Sequence, residues 1–377
     1  MIQDPLMEVR TSLNTTTNTS GSLNAYGVEI DHRLQQVIAD VINRGVDFKP
    51  LVNRIRVGQL TSHWNLRINL GSTSKFSVMS DGGAGTPYPS TKILLSATAI
   101  AYRADYEVSN LMLSGASSYY DALADEALVA ADELKLGEEK MMICGSDTNA
   151  YGITSGFNGL LQLMRWHSSN GGDTEGTAAN KMADTTTVFG TARADSTVGK
   201  ALDVSYVIAG TAGSATGVLD IPHLDKAIVQ SNKHGGKDHE RIFFCSEERV
   251  MEINQLLQPQ QRFAGTLMLE GGFSIQTYRG IPIIGSRYMD KNGATNTSSW
   301  NSSTDADNSM YLLDLTQMDM LVLDGVDAAH VLVSGEISGT AGYNRADTQG
   351  GFFKTYAVFR FKSFQSHVHI ANLTAPA

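Results

Sequence analysis

His367 and His369 stand two apart near the C-terminus, in an alternating apolar run where both would share one face of a strand and could hold a metal ion. No third ligand is indicated, and strand histidines on a solvated face are commoner, so no metal is assigned. The acidic run "DADN", Asp305–Asn308, alternates oxygen ligands but lacks the glycine and distal glutamate of a calcium loop, and reads as a surface insertion. His234 and His239, in "NKHGGKDHE", fall in a helix-to-strand loop. Glu247 and Glu248 suit the first turn of a helix better than acid–base catalysis. "DGGAGTPYP" and "GTAGSATG" lack the lysine–hydroxyl ending of a phosphate-binding loop and any strand–glycine–helix context. Cys144 and Cys245 are the only cysteines, too few for a disulfide framework or a zinc site, and no nucleophile elbow or Cys/His dyad signature is found. The residues therefore assign no catalytic, cofactor-binding or metal site, and no cofactor.

The most extended element is "SYYDALADEALVAADELKLGEEKMMICG", Ser118–Gly145. Ser118 is a credible N-cap with Asp121 three residues on, and Asp121 and Asp125 suit the positive end of the helix dipole. About 27 residues at ~1.5 Å each give a rod of ~40 Å. Leu123, Ala127, Ala130, Leu134 and Met141 form a packed face. Asp125, Asp132 and Glu139 recur every seven residues on a face expected to be wet. Gly137 weakens the helix relative to alanine.

Around that rod the pattern changes repeatedly. Residues 1–24 are a polar Thr/Asn/Ser arm, followed by helical spacing in "VEIDHRLQQVIADVINRGV" through Leu34, Val37, Ile38, Val41 and Ile42. Residues 49–66 read as a strand and 67–92 as a Gly/Pro-containing tip. Residues 93–113 read as a returning strand, so that the whole makes a projecting hairpin. Residues 165–200 and 291–309 read as surface insertions. Between and after them the chain alternates: strand Val204–Ala209, helix Pro222–Ser231, strand Arg241–Cys245, helix Ser246–Leu257, then two strands meeting at a turn in "FSIQTYRGIPIIGSRYM". The end, "FFKTYAVFRFKSFQSHVHIANL", reads as one long alternating strand.

At 377 residues, 42% of them hydrophobic, the chain is long enough for more than one packed region. Only 18% are charged, which suits surfaces covered by neighbouring subunits. A net charge of −10 argues against broad electrostatic binding of nucleic acid. No stretch reaches the roughly 20 apolar residues of a membrane span, and no signal-peptide core stands at the N-terminus. A reducing compartment is the default for so few cysteines.

The order of these features resembles the major capsid proteins of tailed bacteriophages (Caudoviricetes), the Hong Kong 97 fold. The resemblance is carried by Val108, Ser109, Leu111 and Leu113 ending the returning strand, by the long helix, by the Gly159–Leu160 pair, and by "RGIPIIGS", Arg279–Ser286. It covers roughly residues 28–372. It implies an α+β fold with an N-terminal arm at 1–48 and an extended loop at 49–98 lying over a neighbouring subunit. A peripheral domain at 99–162 and 340–377 would contain the spine helix 118–144, and an axial domain would occupy 163–339. It implies a virion shell protein rather than an enzyme, assembled in the host cytoplasm as hexamers and pentamers around packaged double-stranded DNA. Trp64, Phe76, Pro87 and Tyr88 are the expected intersubunit contacts, as aromatic and proline side chains on a loop that wants a partner surface. No scaffolding segment precedes the arm from Met1, so the resemblance implies either a separate scaffolding protein or assembly without one, together with a portal; a decoration protein on the insertions is a further partner the resemblance allows. Lys75 and Lys92 flank the tip, but no crosslink is expected from them. Two other readings stand beside this one: an encapsulin-type compartment, and a soluble α/β enzyme that would behave as a small monodisperse species.

Overall fold

The computed structural model describes residues 45–69, 81, 90–116, 121–145, 156–164, 166–167, 181–182, 187–192, 199–209, 217–236, 239–257, 266–268, 274–289, 309–333, 348–371 and 373–374. Residues 1–44, Phe76, Pro87, Tyr88, Lys75, Asp305–Asn308 and nearly all of both glycine-rich stretches lie outside them.

The chain enters through a 3-10 turn at Lys49–Leu51, set by Pro50, and continues into β1 (Asn53–Val57), β2 (Thr61–Asn69), β3 (Thr91–Thr98) and β4 (Ile100–Ser109). The single strand expected at 49–66 is thus two, broken at Gly58–Leu60. Only β2 pairs with β3, from Thr61↔Thr98 to Asn69↔Thr91, with an irregularity between Arg67 and Asn69. The returning strand also ends sooner than expected. Ser109 and Asn110 are residue types that favour helix starts. Ser109 Oγ accepts the Met112 N–H at 3.3 Å, so Leu111–Leu113 belong to helix α1 (Asn110–Ala116). The spine is helix α2 (Ala122–Cys144), whose Ala124 N–H is capped by Asp121 Oδ1 at 3.1 Å.

After α2 come α3 (Leu160–Leu163), β5 (Trp166–His167), β6 (Lys181–Met182), β7 (Thr187–Val188), β8 (Thr191–Ala192) and α4 (Gly199–Leu202). Then follow β9 (Ser205–Ile208), α5 (Ile221–Lys233), β10 (Arg241–Cys245), α6 (Glu247–Leu257), β11 (Thr266–Met268), β12 (Ser274–Tyr278) and β13 (Ile281–Gly285). The last are β14 (Met310–Asp314), β15 (Met318–Leu323), β16 (Ala329–Val333), β17 (Thr348–Phe361) and β18 (Val368–Ala371). The architecture is α+β.

The chain divides into two compact units. The first comprises residues 1–44, 102–134 and 328–354. In its described part, β4 alternates as a half-buried strand must: Ala104, Tyr106 and Val108 are buried while Arg103, Asp105 and Glu107 face water. Ala104 and Tyr106 pack on Ala130 and Leu134 of α2, with Leu123, Ala127 and Phe353 at the margin. The apolar face expected from the spacing of these helix residues is the face that packs. β16 pairs with the first half of β17, His330 opposite Phe353, and the Tyr106 hydroxyl meets His330 Nε2 at 2.7 Å.

The second unit comprises residues 45–101, 135–327 and 355–377. Its main sheet runs β11-β12-β13-β10-β14-β18-β9 among the described residues. β14 is buried at every position, and its run "MYLL" is accordingly apolar without alternation, with Asp314 buried at its end. Helices α5 and α6 cover the sheet through Leu224, Ala227, Ile228, Ile253 and Leu257. α5 starts where the sequence places it because Asp220 and His223 cap it reciprocally ahead of Pro222. Arg279 and Gly280 form the positive-φ turn between β12 and β13, and Gly285 lets α6 approach, with Glu247 Cα 3.2 Å from where a Cβ would sit. Parallel β1 and antiparallel β17 flank β15 in the other sheet of this unit. The long terminal strand expected at 352–373 is interrupted: β17 ends at Phe361, the chain turns with the His367 N–H on Phe364 O, and β18 joins the seven-stranded sheet instead.

The Gly159–Leu160 pair has a steric cause. Gly159 N–H donates to Gly145 O at 2.8 Å, and a Cβ on Gly159 would sit 2.6 Å from Gly145 N and 2.7 Å from Met141 O. Gly159→Ala is therefore expected to lower stability by about 2 kcal/mol or more in urea melts. Gly137→Ala, mid-helix with nothing within 4 Å of its would-be Cβ, is expected to raise it by about 0.5–1 kcal/mol.

Candidate functional site

The polar chemistry of the second unit concentrates where the chain first enters it. Glu138 and Glu139 are adjacent on α2 and are 1% and 0% exposed. A buried carboxylate must be answered by donors, and each has its own set. Glu139 Oε1 accepts the backbone N–H groups of Asp47, at 2.8 Å, and Phe48, at 3.2 Å. Glu138 accepts the Lys49 ammonium at 2.9 Å and the Arg54 guanidinium, whose other nitrogen reaches Asp327 at 2.6 Å. Between these contacts the Phe48 ring is fully buried, 4.9 Å from Phe244 and 6.1 Å from Phe359. The entering chain from Asp47 to Arg54 is thereby tied to α2 and to both sheets of this unit by one aromatic wedge and two carboxylates.

This corrects the expectation for Glu139. It does not continue a wet acidic stripe with Asp125 and Asp132, because it is itself buried, as are Met142, Ile143 and Cys144 in the last turns of the helix. Burial raises the Glu139 carboxyl above the usual carboxylate range, against the lowering effect of the backbone donors, and the charge of Asp47 adds to the rise. Asp47 is itself raised, first by burial, then by Glu247, with Arg287 opposing. Burial brings Lys140 down to about 8 and pushes the Cys144 thiol up to about 12, so Cys144 holds no thiolate at neutral pH.

A second clamp holds the base of the hairpin. Trp64 lies on β2, half-buried, rather than exposed on a loop. Its ring meets Phe189 edge-on at 5.0 Å, and the Arg360 guanidinium stands 5.5 Å from its centroid. Arg360 is fixed by the buried carboxylate of Asp319, which Lys362 also reaches at 2.9 Å. Phe189 sits at φ +51° in the tight turn between β7 and β8, a costly conformation for an aromatic residue, and its carbonyl accepts the Ser96 N–H at 3.1 Å. Trp64 thus has its cover within its own chain. Neither Phe189 nor Arg360 stands out in the sequence: the first lies in a segment read as an insertion, the second in an ordinary alternating strand.

The histidines form a third buried cluster, not the solvated pair expected. His367 and His369 are 0% and 2% exposed. His367 Nδ1 accepts the Asp314 N–H at 3.0 Å, and His369 Nε2 meets Ser309 Oγ at 2.8 Å. Burial pushes His367 down to about 4, so it stays neutral in ordinary buffers. His239, read as a turn residue, contacts Asp314 Oδ2 at 2.6 Å. Each group serves as a partner in a structural hydrogen bond, and among the described residues no three His, Cys, Asp or Glu side chains converge as metal ligands. Among the same residues no helix is long and apolar enough to cross a membrane.

What these clamps position is a two-stranded hairpin and the chain that leads into it from Asp47. The chain has the Hong Kong 97-type capsid fold. No protein-family model and no curated protein sequence matches it. Among solved structures, the Cyanophage A-1(L) capsid is similar with a TM-score of 0.61 at 12% identity, over 92% of this chain and 97% of that chain. The capsid of the native GTA particle gives 0.57 at 10% identity, over 94% and 99%. The holo-SrpI encapsulin complex from Synechococcus elongatus PCC 7942 gives 0.52 at 10% identity, over 97% and 96%.

The Glu139 clamp makes a prediction whose sign follows from linkage. A carboxyl raised in the folded state favours folding most at low pH, and that contribution is lost as pH rises through the raised value. Glu139→Gln keeps the Oε1 acceptor and removes the charge, so its stability relative to wild type should improve between pH 5 and pH 8 in urea melts. Glu139→Ala, which strands two buried N–H groups, should be lower at both pH values by about 2–3 kcal/mol.

Proposed function

We propose that this chain is a major capsid protein, a shell subunit without a catalytic site that assembles as hexamers and pentamers into an icosahedral capsid enclosing packaged double-stranded DNA. The observation that carries the reading is the near whole-length likeness to the capsids of a cyanophage and of the GTA particle. Clamping of the arm root and hairpin base supports it: projections lent to neighbours must be anchored firmly in the subunit that owns them. Many modest interfaces then add by multivalency. In this reading residues 1–48 are the arm and 49–98 the extended loop. Residues 99–162 with 340–377 form the peripheral domain, and 163–339 the axial domain. Trp64, Phe76, Pro87 and Tyr88 lie at or near subunit contacts, Trp64 acting from the hairpin base. A net charge of −10 suits a container that must not grip its cargo. A separate scaffolding protein and a portal complete assembly in the host cytoplasm, and the product is a virion.

A second reading, an encapsulin-type compartment, is supported by the likeness to the Synechococcus shell. The contents of the particle distinguish the two: nuclease-protected double-stranded DNA for the first, enclosed protein for the second.

Negative-stain microscopy of the purified protein is expected to show closed shells or capsomers, and deletion of residues 67–92 to abolish closed shells. A monodisperse monomer at all concentrations in light scattering, or intact shells from the deletion variant, would overturn the proposal.

A further inference from the structure

Two cations face each other on the hairpin. In the register of β2 and β3, Arg67 stands directly opposite Lys92; both are exposed, and among the described residues neither forms an ion pair. Like charges placed opposite on a strand pair repel, and β2 and β3 hold no Asp or Glu to offset them, although the whole chain carries a net charge of −10. Asn65 pairs with Leu94 on the same face, the one turned away from the Trp64–Leu95 pair, and Leu94 is 61% exposed. Lys92 precedes Leu94 by two residues, ~7 Å along the strand. This face is an exposed leucine with positive charge to one side of it.

The first half of α2 presents the complementary arrangement. Ala130 and Leu134 pack on β4, and at ~100° per residue Asp125, Leu128, Val129, Asp132 and Glu133 fall on the opposite side of the helix. Leu128 is 64% exposed and Val129 39%, and Glu133 is exposed. Asp132 and Glu133 lie one turn beyond the apolar pair, ~6 Å along the axis. The two patches therefore match in spacing and are opposite in charge. We propose, resting on the shell reading above, that the outer hairpin face of one copy docks on this side of α2 in a second copy. Leu94 meets Leu128 and Val129, and Arg67 and Lys92 meet Asp132 and Glu133. Carboxylates of the neighbour then offset the cross-strand repulsion that nothing within the hairpin offsets. Because every copy carries both surfaces and the two differ, the contact is head-to-tail and repeats from copy to copy, as a ring requires. Met251 on α6, 51% exposed one turn beyond Glu248, is a rival patch with one apolar residue in place of two.

The test is charge reversal in the full chain, read by negative-stain microscopy and sedimentation. Arg67→Glu with Lys92→Glu, and separately Asp132→Lys with Glu133→Lys, should each lower the yield of closed shells about tenfold or more, and one chain carrying both reversals should recover it. That recovery excludes misfolding as the cause of either loss. Mixed with each other, the two reversed chains should co-sediment as oligomers that neither forms alone. Native shells together with undiminished assembly of either reversed chain, or no recovery in the combined variant, overturns the inference and leaves the shell reading standing. So does recovery of the hairpin reversal by Glu248→Lys. Recovery in the combined variant without association of the mixture also overturns it, by putting the contact within one chain. A native chain that forms no particle overturns both.

Discussion

Two ionisable side chains side by side in the buried half of a helix impose the strongest constraint in this subunit. Glu138 and Glu139 cannot be left in an apolar environment without donors, and at adjacent helix positions they point about 100° apart, so one partner cannot serve both. The entering chain supplies two different answers within a few residues: backbone N–H groups for one carboxylate, a lysine and an arginine for the other. That requirement sets where Asp47 to Arg54 must run, and Phe48 locks the path by filling the space between Phe244 and Phe359. The start of β1, and with it the direction in which the hairpin leaves, follows from this placement.

Much of this was legible in the sequence. Arg241–Cys245 occupies the strand boundaries its apolar run indicates, and the helices α5 and α6 fall within one or two residues of the expected segments, because caps and periodicity agree there. The legibility fails where a residue's meaning depends on distant chain. Glu139 shares a heptad spacing with Asp125 and Asp132, and only its own burial separates it from them. The run "MMIC" one residue after the glutamates was the available signal, since a helix apolar all round is a buried one. The strand breaks at Gly58–Leu60 and after Phe361 were hidden because alternation continues across both, and the change of sheet is a tertiary choice.

The hairpin clamp illustrates a division of labour between charge and shape. Asp319 holds Arg360, Arg360 presents its flat cation to Trp64, and Phe189 closes the other side of the indole from a backbone conformation that only surrounding packing can sustain. Aromatic area supplies the cohesion and the buried ion pair fixes the geometry.

The second unit passes its chain between its two sheets at two places, from β14 to β15 through Asp314 and from β17 to β18 through the turn ending at His367. The Asp314 N–H donates to His367 Nδ1, so the two crossings are stitched to each other. Any force that slides one sheet past the other loads both covalent connections and that hydrogen bond at the same point.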